Sequence, residues 1–276
     1  MKLGAVAAAL VVERAPEAMA PEALFAAAHR LGLGQIELPS RGWDEPGWVD
    51  RVRALMERYG IEVELGFGDK YIEHGDRQPT EGFAAFVEQA CRPLGVAIVG
   101  TASHLHGGRW PKQPPLDEQL DRLAAALRRL APVAEAACVK LAIENHADYR
   151  GHELAGLLER VGSPNVGARL DTGNPYCAIE EPVAAAEALA PYTFATHLKD
   201  EVVEAEPGNR GIAPGGLLAL RGCALGEGHV DVPTIVDLLA RRGPLGNRLA
   251  LTLEVPAATV EASIAYARSA LAAYLE

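Results

Sequence analysis

The run Ala168-Arg169-Leu170-Asp171-Thr172-Gly173-Asn174 stays largely apolar and extended until a carboxylate and a group of turn formers end it. Read as a buried strand, it leaves a charged group at its carboxyl end, where α/β enzymes place their chemistry. Three further runs end alike: Leu141-Ala142-Ile143-Glu144-Asn145-His146, Phe194-Ala195-Thr196-His197-Leu198-Lys199-Asp200 and Leu249-Ala250-Leu251-Thr252-Leu253-Glu254-Val255-Pro256. Two glutamates, an aspartate and a histidine at four strand ends point to a metal site.

Outward from these runs, short apolar segments alternate with amphipathic ones. The pattern predicts strands over Leu3–Leu10, Gln35–Leu38, Ile61–Phe67, Val96–Thr101, Lys140–Glu144, Val166–Leu170, Thr193–Leu198 and Leu249–Leu253. Helices are expected from Pro21 to Gly32, Gly47 to Tyr59, Glu81 to Cys91, Leu116 to Ala137, Gly151 to Val161, Pro182 to Leu189, Pro233 to Arg242 and Val260 to Leu275. Proline early and glycine late mark several of these ends. A glycine-rich insertion over Glu201–Asp231 is expected to be irregular and to shape either the mouth of the site or a contact between copies of the chain. Eight strand–helix units without a linker close most simply into a single (β/α)₈ TIM barrel, one domain over residues 1–276. A doubly wound open sheet is the runner-up, but no glycine-rich G-x-G-x-x-G or Walker turn follows an early strand.

Composition narrows the function classes. The chain has 276 residues, 49% hydrophobic and 23% charged, as expected of a globular protein, and a formal charge of −11 without a Lys/Arg-rich stripe. Binding to nucleic acid would therefore work against the long-range field. Cys91, Cys138, Cys177 and Cys223 form no C-x-x-C pair and read as reduced thiols of a cytoplasmic protein. The apolar start, Met1 to Glu13, resembles a signal peptide briefly, but it is short and lacks a cleavage site, so a first buried strand is expected. No segment has the roughly 18 consecutive apolar residues of a membrane span.

Residues two apart share a face of a strand, so Glu144, Asp171, His197 and Glu254 can all face one axis. Glu144 would share its face with His146, Arg169 with Asp171, and His197 with Lys199. A lone strand-end carboxylate or imidazole is commonly a loop cap or ion-pair partner, and Asp171-Thr172-Gly173-Asn174 alone reads as an Asx turn. Four such residues on the last four strands, in compatible phase, favour ligation. The set is oxygen-rich with one imidazole and suits Mn²⁺ first, with Mg²⁺, Co²⁺ or Zn²⁺ as alternatives. Glu37, His104, His106, His146, Asn174, Lys199 and Arg210 are candidates for contacting substrate, and Trp43 and Trp110 for walling the pocket.

Glu144 in Ile-Glu-Asn-His, Asp171 in Asp-Thr-Gly-Asn, His197 in His-Leu-Lys-Asp and Glu254 in Leu-Glu-Val resemble the metal-binding quartet of the xylose isomerase-like barrel superfamily. The resemblance is to its sugar phosphate isomerase/epimerase group. Ile36-Glu37-Leu38 and Leu225-Gly226-Glu227-Gly228 fit further positions, and the likeness spans nearly the whole chain. It implies a cytoplasmic, divalent-metal-dependent isomerase or epimerase of a small sugar or keto-sugar, working through an enediolate with Glu144 and Glu254 as acid–base pair. Ketose epimerases of this kind tend to carry a histidine where this chain has Asn174, and an arginine soon after the ligand histidine, where this chain has Lys199 and, further on, Arg210.

That departure raises a second expectation. Related barrels with His-x-Lys-Asp are dehydratases or decarboxylases, so a lyase acting on a 3-oxo sugar acid such as 3-oxo-isoapionate, or on an inosose, would use Lys199 as cationic partner of a carboxylate or enolate. A non-catalytic sugar-binding barrel is a third reading. An abasic-site nuclease, from another branch of the superfamily, would need more metal-binding histidines than this acidic chain of eight offers.

Overall fold

The computed structural model describes residues 1–11, 19–39, 42–68, 78–102, 109, 114–147, 149–205 and 218–276. The expected His104, His106 and Arg210 contacts and Trp110 lie outside the described residues. Eight parallel strands form one sheet: β1 (Leu3–Val6), β2 (Gln35–Leu38), β3 (Glu62–Gly66), β4 (Ile98–Thr101), β5 (Lys140–Glu144), β6 (Val166–Asp171), β7 (Thr193–His197) and, last in the chain, β10 (Leu251–Leu253). Between them run α1 (Pro21–Arg30), α2 (Trp48–Tyr59), α3 (Gln78–Phe86), α4 (Leu116–Ala137), α5 (Gly151–Val161), α6 (Pro182–Leu189) and α7 (Val232–Arg242), and α8 (Val260–Ala270) closes the chain. The sheet order is β10-β1-β2-β3-β4-β5-β6-β7. It curls until β7 meets β10 through a parallel bridge of Leu198 with Leu253, with the Leu198 amide donating to the Thr252 carbonyl at 2.7 Å. This is the expected TIM barrel, nearly closed.

Strand register sorts the side chains into two compartments. Leu3, Ile36, Leu38, Leu65, Val99, Leu141, Ile143, Leu170, Leu251 and Leu253 are buried in the main apolar core, where strands meet helices. Burying each such side chain contributes about 1.5–3 kcal/mol. The opposite phase, linked by the pairings Gly4 with Gln35 and Thr252, Glu37 with Glu64, Gly66 with Gly100, Gly100 with Ala142 and Glu144 with Arg169, faces the barrel axis. Barrels usually fill that axis with branched apolar residues. Here glycine, alanine and polar groups line most of it, above a small apolar cluster of Ala142, Phe194 and Ala195 packed with Ile98.

The small residues make room for one large one. A Cβ on Gly100 would overlap the guanidinium of Arg169, which crosses the axis from β6 to reach Glu37 on β2 and Glu64 on β3. Gly100→Ala is therefore expected to destabilise the protein by about 1–3 kcal/mol, as overpacking does. A denaturant melt checks this.

Several boundaries differ from the sequence expectation. The first strand stops at Val6 rather than Leu10, because Ala7–Ala9 turn into a 3₁₀ segment. The last helix ends at Ala270 rather than Leu275. The segment after β7 is not irregular throughout: β8 (Glu201–Ala205) and β9 (Leu218–Gly222) pair as an antiparallel ribbon, Glu201 opposite Gly222. Trp43 packs edge-on against Phe86 at 5.4 Å and joins the apolar core instead of walling a pocket. Among the described residues no helix is long and apolar enough to cross a membrane.

One backbone feature predicts a stability gain. Ile179 ends a 3₁₀ turn, Asn174–Ala178, in the left-handed region at φ 54°, and its side chain is 51% exposed. A branched side chain there carries about 1–2 kcal/mol of strain. Ile179→Asn is expected to stabilise by about 1 kcal/mol and raise Tm by roughly 2 °C, measurable by calorimetry.

Candidate metal centre

The carboxyl ends of β5, β6 and β7 are tied together by side-chain amides and hydroxyls. Asn145, just past β5, donates to the Asp171 carbonyl at 3.0 Å and accepts from the Asp171 amide at 2.7 Å. Thr172 does the same for the next strand, donating to the Lys199 carbonyl at 2.6 Å and accepting from its amide at 2.8 Å. Asp171 itself is fully buried, and its Oδ1 accepts from the amides of Gly173 at 2.8 Å and Asn174 at 2.9 Å. The Asx turn expected at this sequence thus coexists with a second oxygen that faces the axis, 3.0 Å from the Lys199 ammonium.

Four side chains converge there. Glu144, Asp171, His197 and Glu254 each offer one ligand atom, all within 4.8 Å of one another. His197 Nδ1 lies 3.0 Å from Glu254 Oε2 and 3.5 Å from Glu144 Oε2. Asp171 Oδ2, His197 Nδ1 and Glu254 Oε2 are buried and lack a hydrogen-bond partner. They are held instead by ion pairs with one another and with Lys199, and three such atoms aimed at one point suit a cation.

Charge leads to the same place. Among the described residues the carboxylates of Glu37, Glu64, Glu144, Asp171 and Glu254 meet only the permanent cations Arg169 and Lys199, an excess of three negative charges before His197 is counted. Burial would raise the Glu144 carboxyl, but the His197 ring holds it down to about 2. Burial wins at Asp171, pushing it up to about 6 against the opposing Lys199. At Glu254 burial loses to His197 and Lys199, which hold the carboxyl below the usual range. Burial would lower His197, yet Glu37 and Glu144 raise it well above the ordinary imidazole value.

Lys199 stands inside the cluster. Its ammonium is 3.0 Å from Asp171 Oδ2 and 3.3 Å from Glu254 Oε2, and donates to Asn174 Oδ1 at 3.3 Å. Burial disfavours that charge, but Asp171 and Glu254 outweigh it and keep the amine protonated above its usual range. Asn174 in turn donates to Glu144 Oε1 at 3.0 Å. Glu37 lies behind His197, accepting from its Nε2 at 2.7 Å.

His146 is not brought to the cluster: β5 ends at Glu144, the two-residue alternation stops with it, and His146 is exposed. Arg169 takes the axial face expected of it beside Asp171, whereas Glu64, Gln35 and Asp200 join unannounced by the sequence reading. Arg169 and Glu64 face the axis beneath the cluster, and Gln35 donates to Glu64 Oε2 at 3.1 Å. Asp200, fully buried, gathers the amides of Gly226 at 2.8 Å, Gly228 at 2.9 Å and Val230 at 3.0 Å, anchoring the Leu225-Gly226-Glu227-Gly228 loop. Glu201, at the foot of the ribbon, lines a cleft of about 250 Å³ with Lys199, Glu254 and Gly222. Larger cavities of about 680 Å³ beside Phe194 and 880 Å³ beside Trp48 hold none of the four candidate ligands. The donor chemistry, rather than size, selects the mouth.

A family model described as xylose isomerase-like TIM barrel matches residues 25–274. The chain belongs to the xylose isomerase-like TIM barrel family. Over 190 residues it is 26% identical to 3-oxo-isoapionate decarboxylase of Pectobacterium atrosepticum, a match spanning 67% of this chain and 59% of that protein. The solved structure of an L-ribulose 3-epimerase superposes with a TM-score of 0.73 at 19% identity, covering 99% of this chain and 95% of the other. A xylose isomerase-like barrel from Mycobacterium smegmatis in complex with magnesium gives 0.71 at 15% identity, covering 100% and 98%. Both structures share this chain's fold.

Proposed function

We propose that the protein is a cytoplasmic, single-domain, divalent-metal-dependent isomerase or epimerase of a small sugar or keto-sugar. The observation that carries this reading is the meeting of the Glu144, Asp171, His197 and Glu254 ligand atoms within 4.8 Å of one another at the carboxyl end of the barrel. Glu144, Asp171, His197 and Glu254 would hold the ion, Mn²⁺ in the first instance, with Mg²⁺, Co²⁺ or Zn²⁺ able to take the same donors. When bound, the ion supplies Lewis acidity toward adjacent carbonyl and hydroxyl oxygens, so that the neighbouring C–H becomes acidic.

The chain's own groups then move the proton. Glu254, the more exposed of the two glutamates at 35% against 10% for Glu144, reaches the cleft and takes the proton. For isomerisation Glu254 gives that proton back at the neighbouring carbon, whereas epimerisation requires Glu144 to start protonated and deliver its own proton to the opposite face, leaving the proton it took on Glu254. Asn174 holds Glu144, and Glu37 holds His197, so neither has to reorganise as charge develops. The barrel strands carrying these groups keep them in register. A net charge of −11 and a cleft of about 250 Å³ agree with a small uncharged ligand better than with nucleic acid.

Lys199 favours a second reading. An ammonium between Asp171 and Glu254 weakens Glu254 as a base but is well placed to pair with a substrate carboxylate and to donate a proton to the carbanion left by loss of CO₂ or to the hydroxide that departs in a dehydration. That is lyase chemistry on a 3-oxo sugar acid or an inosose, and the name of the decarboxylase relative agrees with it.

Proton and carbon NMR of Mg²⁺-loaded protein in D₂O, with a panel of ketoses, aldoses and 3-oxo sugar acids, separates the two. Deuterium entering the carbon beside the carbonyl, mass otherwise conserved, is the expected result. Loss of CO₂ or water would make the lyase reading correct. No turnover with the ion bound would overturn both and leave a sugar-binding barrel.

A further inference from the structure

His197 has two ring nitrogens, and the structure assigns them different neighbours. Nε2 is 2.7 Å from Glu37 Oε2, whereas Nδ1 faces the cluster, 3.0 Å from Glu254 Oε2 and 3.5 Å from Glu144 Oε2. A carboxylate oxygen only accepts, so the ring's Nε2 must donate to Glu37. Glu37 is fixed from its other side: Arg169 Nη1 donates to Oε1 at 2.9 Å, and the other guanidinium arm is bonded to Glu64, itself held by Gln35 at 3.1 Å. Arg169 and Glu64 are 4% and 3% exposed at their side chains, so the chain Gln35–Glu64–Arg169–Glu37–His197 runs inside the barrel.

We infer that Arg169 and Glu37 are positioning residues that lock His197 with Nε2 protonated and Nδ1 presented to the ion. The inference rests on the metal-centre reading of the four-residue cluster. An ionised carboxylate can accept from both Arg169 and His197, whereas a glutamine in place of Glu37 would aim its NH₂ group at one of these two donors. Gly100, with no Cβ, is what lets Arg169 take this path. Partners of this kind fix a ligand's tautomer, and losing one typically weakens metal affinity 10- to 100-fold.

The test uses Zn²⁺, which is diamagnetic and takes the same donors. In ¹⁵N-histidine-labelled, Zn²⁺-loaded wild type, long-range ¹H–¹⁵N spectra are expected to show His197 bound through Nδ1, with a slowly exchanging Nε2–H. Glu37→Gln should lower Zn²⁺ affinity about 10- to 100-fold and speed exchange of that proton. Arg169→Met combined with Glu64→Gln, which removes one charge of each sign, should do the same with Glu37 intact. A purely structural role would lower Tm but leave the tautomer, exchange rate and affinity of the folded variants unchanged. That result, or ligation through Nε2 in the wild type, overturns the inference. If the double variant does not fold, Glu37→Gln decides alone. Failure of the wild type to bind Zn²⁺ at all would overturn the metal centre, and the relay with it.

Discussion

Replacing Glu254 with glutamine is expected to cut proton exchange at the substrate carbon by about 10³-fold or more, even when the ion is kept saturating. Glu254 is the candidate ligand with the greatest access to the cleft, and its Oε2 is shared between His197 at 3.0 Å and Lys199 at 3.3 Å. Glutamine keeps the shape and an oxygen for coordination, but it cannot accept the proton. Comparing deuterium incorporation by wild type and Glu254→Gln at several ion concentrations separates the two roles. Recovery of full exchange at high ion concentration would reduce Glu254 to a ligand.

Lys199→Met is expected to lower turnover by about 10²- to 10⁴-fold while leaving divalent-ion binding intact or tighter. The ammonium lies within 3.3 Å of two candidate ligands, so its removal takes away a charge that competes with the ion. The same charge is the only permanent cation at the mouth among the described residues, because Arg169 lies beneath the cluster and spends both arms on Glu37 and Glu64. Pairing titration calorimetry with turnover on the substrate that the NMR panel identifies checks both halves. Unchanged turnover would remove Lys199 from the chemistry and with it the main support for the lyase reading.

Much of the barrel was legible because its helices and strands carry clear periodicity and end signals. Gln35–Leu38, Leu116–Ala137, Lys140–Glu144, Gly151–Val161 and Pro182–Leu189 appear as expected. Charged residues closing apolar runs marked the positions of Glu144, Asp171, His197 and Glu254, which the structure brings together. The interior partners were less legible. The alternation puts Arg169 on the face of Asp171, but a charged residue such as Glu64 within a strand reads as facing solvent, and only closure of the sheet makes the axial faces of β2, β3 and β6 one buried compartment shared by Glu37, Glu64 and Arg169. His146 lies past the end of β5 and is exposed, so the alternation that would pair it with Glu144 does not reach it. The ribbon escaped notice because Glu201–Ala205 and Leu218–Gly222 are short and separated by a glycine-rich stretch, so neither strand signals its partner.

The central claim is that these four side chains hold a divalent ion, and titration calorimetry with Mn²⁺ tests it most directly. Asp171→Asn keeps an oxygen for the amides of Gly173 and Asn174 but removes the charge facing the cluster. The account predicts one Mn²⁺ per chain for the wild type and about 100-fold weaker binding, or more, for Asp171→Asn at unchanged far-UV circular dichroism. Absence of binding by the wild type, or equal binding by the folded variant, would contradict it.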